Sequence, residues 1–222
     1  MSARENILGR IRASLRRTDS DGAAARARAR IDAHALSPRP SVKGDLAALF
    51  RTNAVKLLST VAEVTHLGEV PATVAAYLRA HNLPMQAVCW PEIAALDWAA
   101  SGVRMESRPA RRSYDSDLVG VTGVFCAIAE TGTMMMRSSG NTPPATSLLP
   151  ETHIAVLNLS QIVPSMEEAW QRLRYTYGPG PFMPRAVNFV SGPSRTADIE
   201  QTLTLGAHGP YRVHIIMVAE GD

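Results

Sequence analysis

The chain of 222 residues is 45% hydrophobic and 19% charged, with 15 Gly and 15 Pro, a composition that excludes fibrous and low-complexity classes. A chain of this size buries roughly 70% of the surface its unfolded form exposes, so one main domain is expected to fold without staples. The two cysteines, Cys89 and Cys126, form no CxxC, which removes the usual cysteine sets for an iron–sulfur cluster or structural zinc and points to a reducing, cytoplasmic compartment.

In chain order, Ser2 and Glu5 have capping-box spacing, and Ile7, Leu8, Ile11 and Leu15 then share one helical face, so residues 3–17 read as an amphipathic helix. After a break at Asp19 to Gly22, a second Ala- and Arg-rich helical piece is expected over 23–35, stopped by Ser37-Pro38-Arg39-Pro40. Residues 1–43 are therefore read as a helical arm and 44–222 as the main domain. Eight arginines against three carboxylates place five net positive charges in residues 1–30, which leaves two net negative charges on the rest of a chain whose total is +3. No aromatic residue is interleaved among these arginines to stack on bases, so nucleic acid is not an expected partner. A solvated face is the first reading of the arm and an acidic partner surface the second.

From residue 44 short apolar runs alternate with helical stretches. Helices are expected over 45–58, 71–81 (with a proline in the first turn) and 165–175. Strands are expected over 61–67, 85–90, 119–122, 133–137, 153–158, 186–190 and 213–218. This alternation describes an α/β domain with an open, largely parallel sheet covered by helices. No apolar run is long enough to span a membrane. In such sheets ligands sit beyond the carboxyl ends of the strands, so the loops that follow strands are the expected place for a site.

Four segments could carry chemistry. In Ala129-Glu130-Thr131-Gly132-Thr133, a carboxylate among apolar neighbours is costly unless bonded, which makes Glu130 a general acid/base or nucleophile; the alternative is a carboxylate accepting backbone N–H groups in a tight turn. The run from Ser138 to Ser147, rich in hydroxyls, Gly and Pro, is first of all a surface loop; the alternative is a loop after a strand that grips a small anion. In Ser191-Gly192-Pro193-Ser194-Arg195-Thr196, a Gly-Pro turn leads into Ser/Thr positions suited to helix capping, so N–H groups, hydroxyls and the Arg195 guanidinium could grip a phosphate or carboxylate. The alternative there is a capped helix whose Arg195 pairs with Asp198 or Glu200. His208, between small residues in Gly206-Ala207-His208-Gly209-Pro210, is a candidate proton carrier. His153, His208 and His214 lack metal-ligand spacing, so no metal site is expected. No GxSxG, P-loop or GxGxxG is present.

Taken in order, Ile128 to Thr133, Ser147-Leu148-Leu149-Pro150 with His153, Ser191 to Glu200, and Gly206 with His208-Gly209-Pro210 resemble the lactate-utilization C family. The resemblance covers about residues 118–218, and the opening helix around Ile7 to Leu15 is similar too. It implies a LUD domain with a fold like the NagB/RpiA/CoA-transferase group. It also implies work with two partner proteins, which hold the iron–sulfur clusters, in oxidising L-lactate to pyruvate. In CoA-transferase-like folds a glutamate closely followed by glycine can attack a thioester, and Glu130-Thr131-Gly132 is similar in outline. The leading expectation is an accessory or ligand-binding subunit with no cofactor of its own. Glu130 and His208 would handle protons, while Thr131, Gly132, Thr133, Ser191, Gly192, Ser194, Arg195 and Thr196 would bind lactate or another anion. The alternatives are a stand-alone transferase or isomerase acting on a CoA thioester or phosphorylated small molecule, and an interaction module docked through its basic arm.

Overall fold

The structure, a computed structural model, describes residues 2–15, 20–35, 41–111, 117–178, 183–196 and 204–220. The chain divides into two units between Ser41 and Val42. The first holds α1 (Ala3–Leu15) and α2 (Ser20–Ala33). Ser2 N–H donates to Glu5 Oε2 (2.7 Å) and Glu5 N–H to Ser2 Oγ (3.3 Å), so the capping box closes the orphan donors of the first turn. Helix α1 buries no residue, and Ile7, Leu8, Ile11 and Leu15 are exposed. Arg16, Arg17 and the Ser37 to Pro40 stop lie outside the described residues.

The second unit runs α3 (Leu46–Lys56), β1 (Thr60–His66), α4 (Val70–Ala80), β2 (Gln86–Cys89), α5 (Pro91–Ala94), β3 (Arg104–Ser107), β4 (Val119–Gly123), β5 (Cys126–Ile128), β6 (Thr133–Arg137), α6 (Ala145–Leu148), β7 (Thr152–Asn158), β8 (Ile162–Val163), α7 (Met166–Tyr177), β9 (Val187–Val190), β10 (Arg195–Thr196), β11 (Thr204–Leu205) and β12 (Arg212–Glu220). Asp45 starts α3 by accepting from Ala47 N–H (2.9 Å) and Ala48 N–H (3.1 Å). Proline stands in the first turn of α4, where its missing N–H costs nothing. Among the described residues the larger sheet has six strands in the order β1-β12-β7-β4-β2-β3, every neighbouring pair parallel.

Strand alternation sends side chains from this sheet into two cores. Ile154, Val156, Ile216 and Val218 face α4 with Val74 and Leu78, whereas Ala155, Leu157, Ile215 and Met217 face α3 and the second sheet. That second sheet, ordered β8-β5-β6-β9, puts Ala127, Met134 and Met136 into the shared core and Cys126, Ile128 and Met135 against Ala169 and Leu173 of α7. The methionine run is thus packing, as polarizable side chains in a crowded core commonly are. The stretches 133–137 and 186–190 are strands as expected, but they belong to this second, mixed sheet. Strand β6 is buried on both faces, so its apolar run carries no signature of which sheet it joins.

Candidate functional site

The four motif segments gather beyond the amino ends of the parallel strands, not the carboxyl ends where loops after strands were expected to hold the site. Thr152 pairs with both Val119 and Arg212, so β4, β7 and β12 begin level with one another. Ser147 to Pro150 runs directly into β7, and Gly206 to Pro210 into β12. The other two segments arrive from the second sheet, whose strands β5 and β9 run back along the parallel sheet and deliver their end loops to the amino edge.

Helix α3 clamps those two loops. Asn53 Nδ2 donates to Ala129 O (2.9 Å) and Glu130 O (3.1 Å). Gly132 (φ +65°) lies so close to the helix that a Cβ would collide with Ala54 N, and a Cβ on Gly192 (φ +83°) would collide with Leu57 O. Only glycine combines a left-handed backbone with that approach. Across the joint, buried Thr133 Oγ1 and Ser191 Oγ lie 2.8 Å apart. Ser194 ties the third segment to the fourth: its N–H donates to Pro210 O (2.8 Å), its carbonyl accepts from Gly206 N–H (2.9 Å), and its Oγ accepts from His208 N–H (3.4 Å). A cleft of about 420 Å³ opens here, lined by Leu148, Leu149, Glu151, His208, Gly209 and Tyr211.

The two proton-handling candidates occupy different settings. Half-buried Glu130 accepts from Met166 N–H (3.0 Å) through Oε1, so its carboxylate sits at the positive N-terminal end of α7. His208 is exposed on the cleft wall. Among the described residues no hydrogen bond or ion pair joins them. Thr131 is exposed beside Glu130. After the Gly-Pro turn Arg195 and Thr196 form β10 and pair antiparallel with Leu205 and Thr204, with Thr196 buried; the alternative of a capped helix in which Arg195 pairs with Asp198 or Glu200 falls outside the described residues. Arg195 is exposed, and Ala197 to Glu200 lie outside the described residues.

Sequence reasoning missed Asn53, which stands beside Arg51 and Thr52 in a mixed helical turn and carries no local signal of its own. It also missed Tyr211 and Arg212, where the guanidinium lies 4.3 Å over the ring and donates to Thr152 Oγ1 (3.5 Å). His153 and His214 serve the core. His153 Nε2 lies 2.8 Å from Thr122 Oγ1, and His214 Nδ1 lies 2.8 Å from Thr60 Oγ1, with its ring stacked 4.1 Å from Tyr77. Burial pushes both histidines down to about 4. Cys89 and Cys126 are free, buried thiols in separate cores, each pushed up to about 11 by burial. Among the described residues no three His, Cys, Asp or Glu side chains are grouped to hold a metal ion, and no helix is long and apolar enough to cross a membrane.

A parallel α/β sheet backed by a second mixed sheet, with four motif loops joined at its amino edge, defines the class of protein. The LUD domain model matches residues 38–218, and the chain belongs to the LUD domain family. It is 39% identical over 102 residues to Lactate utilization protein C of Bacillus subtilis, covering 46% of this chain and 42% of that relative. Against Lactate utilization protein C of an Exiguobacterium species it is 38% identical over 122 residues, covering 55% of this chain and 52% of the relative. The matched stretches thus span about half the length of these curated relatives. The crystal structure of a DUF162 family protein from Deinococcus radiodurans shares the fold, with a TM-score of 0.59 and 24% identity over 81% of this chain and 100% of that one.

Proposed function

We propose that this protein takes part in lactate utilization as an accessory or ligand-binding subunit that works in the cytoplasm with two iron–sulfur partner proteins to oxidise L-lactate to pyruvate. The observation that carries this reading is the 37–41% identity to several relatives named Lactate utilization protein C. The cysteine placement supports a division of labour, because two thiols buried in separate cores do not suit cluster ligation and the redox chemistry then falls to the partners. In this reading Ser191, Ser194, Arg195 and Thr196 hold the carboxylate of lactate. Thr131, Gly132, Thr133 and Gly192 shape the loops around it. Glu130 and His208 handle protons, each within its own half of the cluster.

Anaerobic, lactate-dependent dye reduction tests this with the purified chain alone and then mixed with the two candidate partners. Activity is expected only in the mixture, and Arg195→Ala and Glu130→Ala should lower it by about tenfold or more, the usual cost of losing a charged contact. Full activity in both variants removes the site assignment. An inert mixture with intact clusters removes the lactate role, and calorimetric binding of CoA esters or sugar phosphates to the isolated chain would then favour the transferase reading.

A further inference from the structure

A second cleft lies at the opposite edge of the sheet, beyond the carboxyl ends of the parallel strands, where open α/β sheets characteristically take their ligands. It has two lobes of about 280 and 190 Å³ that share Glu92, Val124 and Gln161, and it reaches from Trp90 after β2 to Leu67 after β1. Of the four segments singled out in the sequence only the Ser138 to Ser147 loop reaches it, through Thr142.

Its polar groups are built in. Arg137, at the end of β6, donates to Tyr177 Oη (2.7 Å) and lies 5.2 Å from the Phe125 ring and 5.6 Å from the Tyr177 ring, so the guanidinium is held while most of its five N–H groups stay available. Arg172, from α7, spends one N–H on Ser160 O (3.2 Å). Gln161 is committed at both ends, donating to Val124 O (2.6 Å) and accepting from Asn158 N–H (2.9 Å), and forms a fixed floor. Buried Trp90 is anchored by Nε1 donating to Pro143 O (3.2 Å). Glu92 faces the cations from the other side. Its carboxylate rests on Gly123, where a Cβ would collide with Oε1. Partial burial pushes Glu92 up, and the Arg137 charge offsets this, although no ion pair joins the two among the described residues. Two cations and one carboxylate facing each other without pairing leave a net positive gap for a ligand.

We propose that this cleft binds a small organic anion bearing a hydroxyl or amine, with its carboxylate or phosphate between Arg137 and Arg172 and its donor group directed at Glu92. The cleft lies apart from the motif cluster, and because lactate is itself a hydroxylated carboxylate, the Arg172, Arg137 and Glu92 variants rather than the choice of probe tell the two sites apart.

Isothermal titration of the whole chain tests it, with glycolate, propionate, glycerol phosphate and inorganic phosphate as probes. Glycolate or glycerol phosphate should bind more tightly than the matching probe without a hydroxyl, and the preferred pair identifies the anionic group. Arg172→Gln, on the helix surface, should weaken binding by about tenfold or more, and Arg137→Gln likewise. Arg174→Gln, which removes the same charge outside the cleft, should not. Glu92→Gln should strengthen propionate or phosphate binding and erase the preference for the hydroxylated probe. Silence from every probe at millimolar concentration, or binding untouched by Arg172→Gln and Arg137→Gln, overturns the proposal, as does a hydroxyl preference that survives Glu92→Gln. Unchanged circular dichroism of Arg172→Gln separates lost binding from lost folding.

Discussion

His153 has no exposed surface, and burial pushes its folded pKa from the ordinary 6.5 to about 4. A neutral folded histidine and a protonated unfolded one mean that the unfolded chain binds the extra proton between those values. Stability is therefore full above about pH 6.5 and falls as the pH drops toward 4, by up to about 3 kcal/mol for this residue. His214, pushed down by burial and by the charge of His81, adds to the loss in the same window. Denaturant melts of the wild type and His153→Gln should show a stability difference that shrinks on acidification, because only the wild type carries this proton linkage. Parallel pH profiles would rule the linkage out. Thr122→Val leaves His153 Nε2 buried without its 2.8 Å partner and should cost about 1–3 kcal/mol at neutral pH.

At the scale of elements, the joint between α3 and the two motif loops rests on glycines. Gly132→Ala and Gly192→Ala each place a Cβ against helix backbone at a left-handed φ, so each should destabilise by about 2 kcal/mol or more. Gly68→Ala meets nothing within 4 Å and should stay within about 0.5 kcal/mol of wild type. Similar losses in all three thermal melts would show that the joint is not what the glycines serve. The sequence disclosed the elements here better than their assembly. Asp45 before an apolar helix, Pro71 in a first turn and the apolar run of β12 are local signals, and they marked α3, α4 and the last strand. By contrast, β5 is three residues long and β10 and β11 two each, too short to show any period. Pairing of β6 with β9 depends on contacts across 50 residues or more that no local pattern encodes. The motif residues were visible one by one, but their arrival at the amino edge was not, since that follows from the direction of the second sheet. Arg137, Arg172 and Glu92 lie in three separate stretches, and nothing in their spacing joins them into a cleft.

The whole molecule separates its charge from its packing. Every buried side chain of the three cores lies at or beyond Phe50, the LUD match begins at residue 38, and α1 buries nothing. Residues 1–41 nevertheless carry nine arginines and four carboxylates, so removing them turns a net charge of +3 into −2. A chain of residues 42–222 should therefore keep a single cooperative thermal transition with a midpoint within about 3 °C of the full protein, since the buried residues of the three described cores all come from the second unit. The same deletion should abolish retention on a cation exchanger at neutral pH, because the remaining surface has the opposite net sign. The two measurements answer different questions. A large drop in midpoint would mean that the arm packs on the domain and contributes to its core. Retention that survives the deletion would mean that the domain itself presents a concentrated cationic face, and the exposed arginines of the second unit would then be the place to look for it.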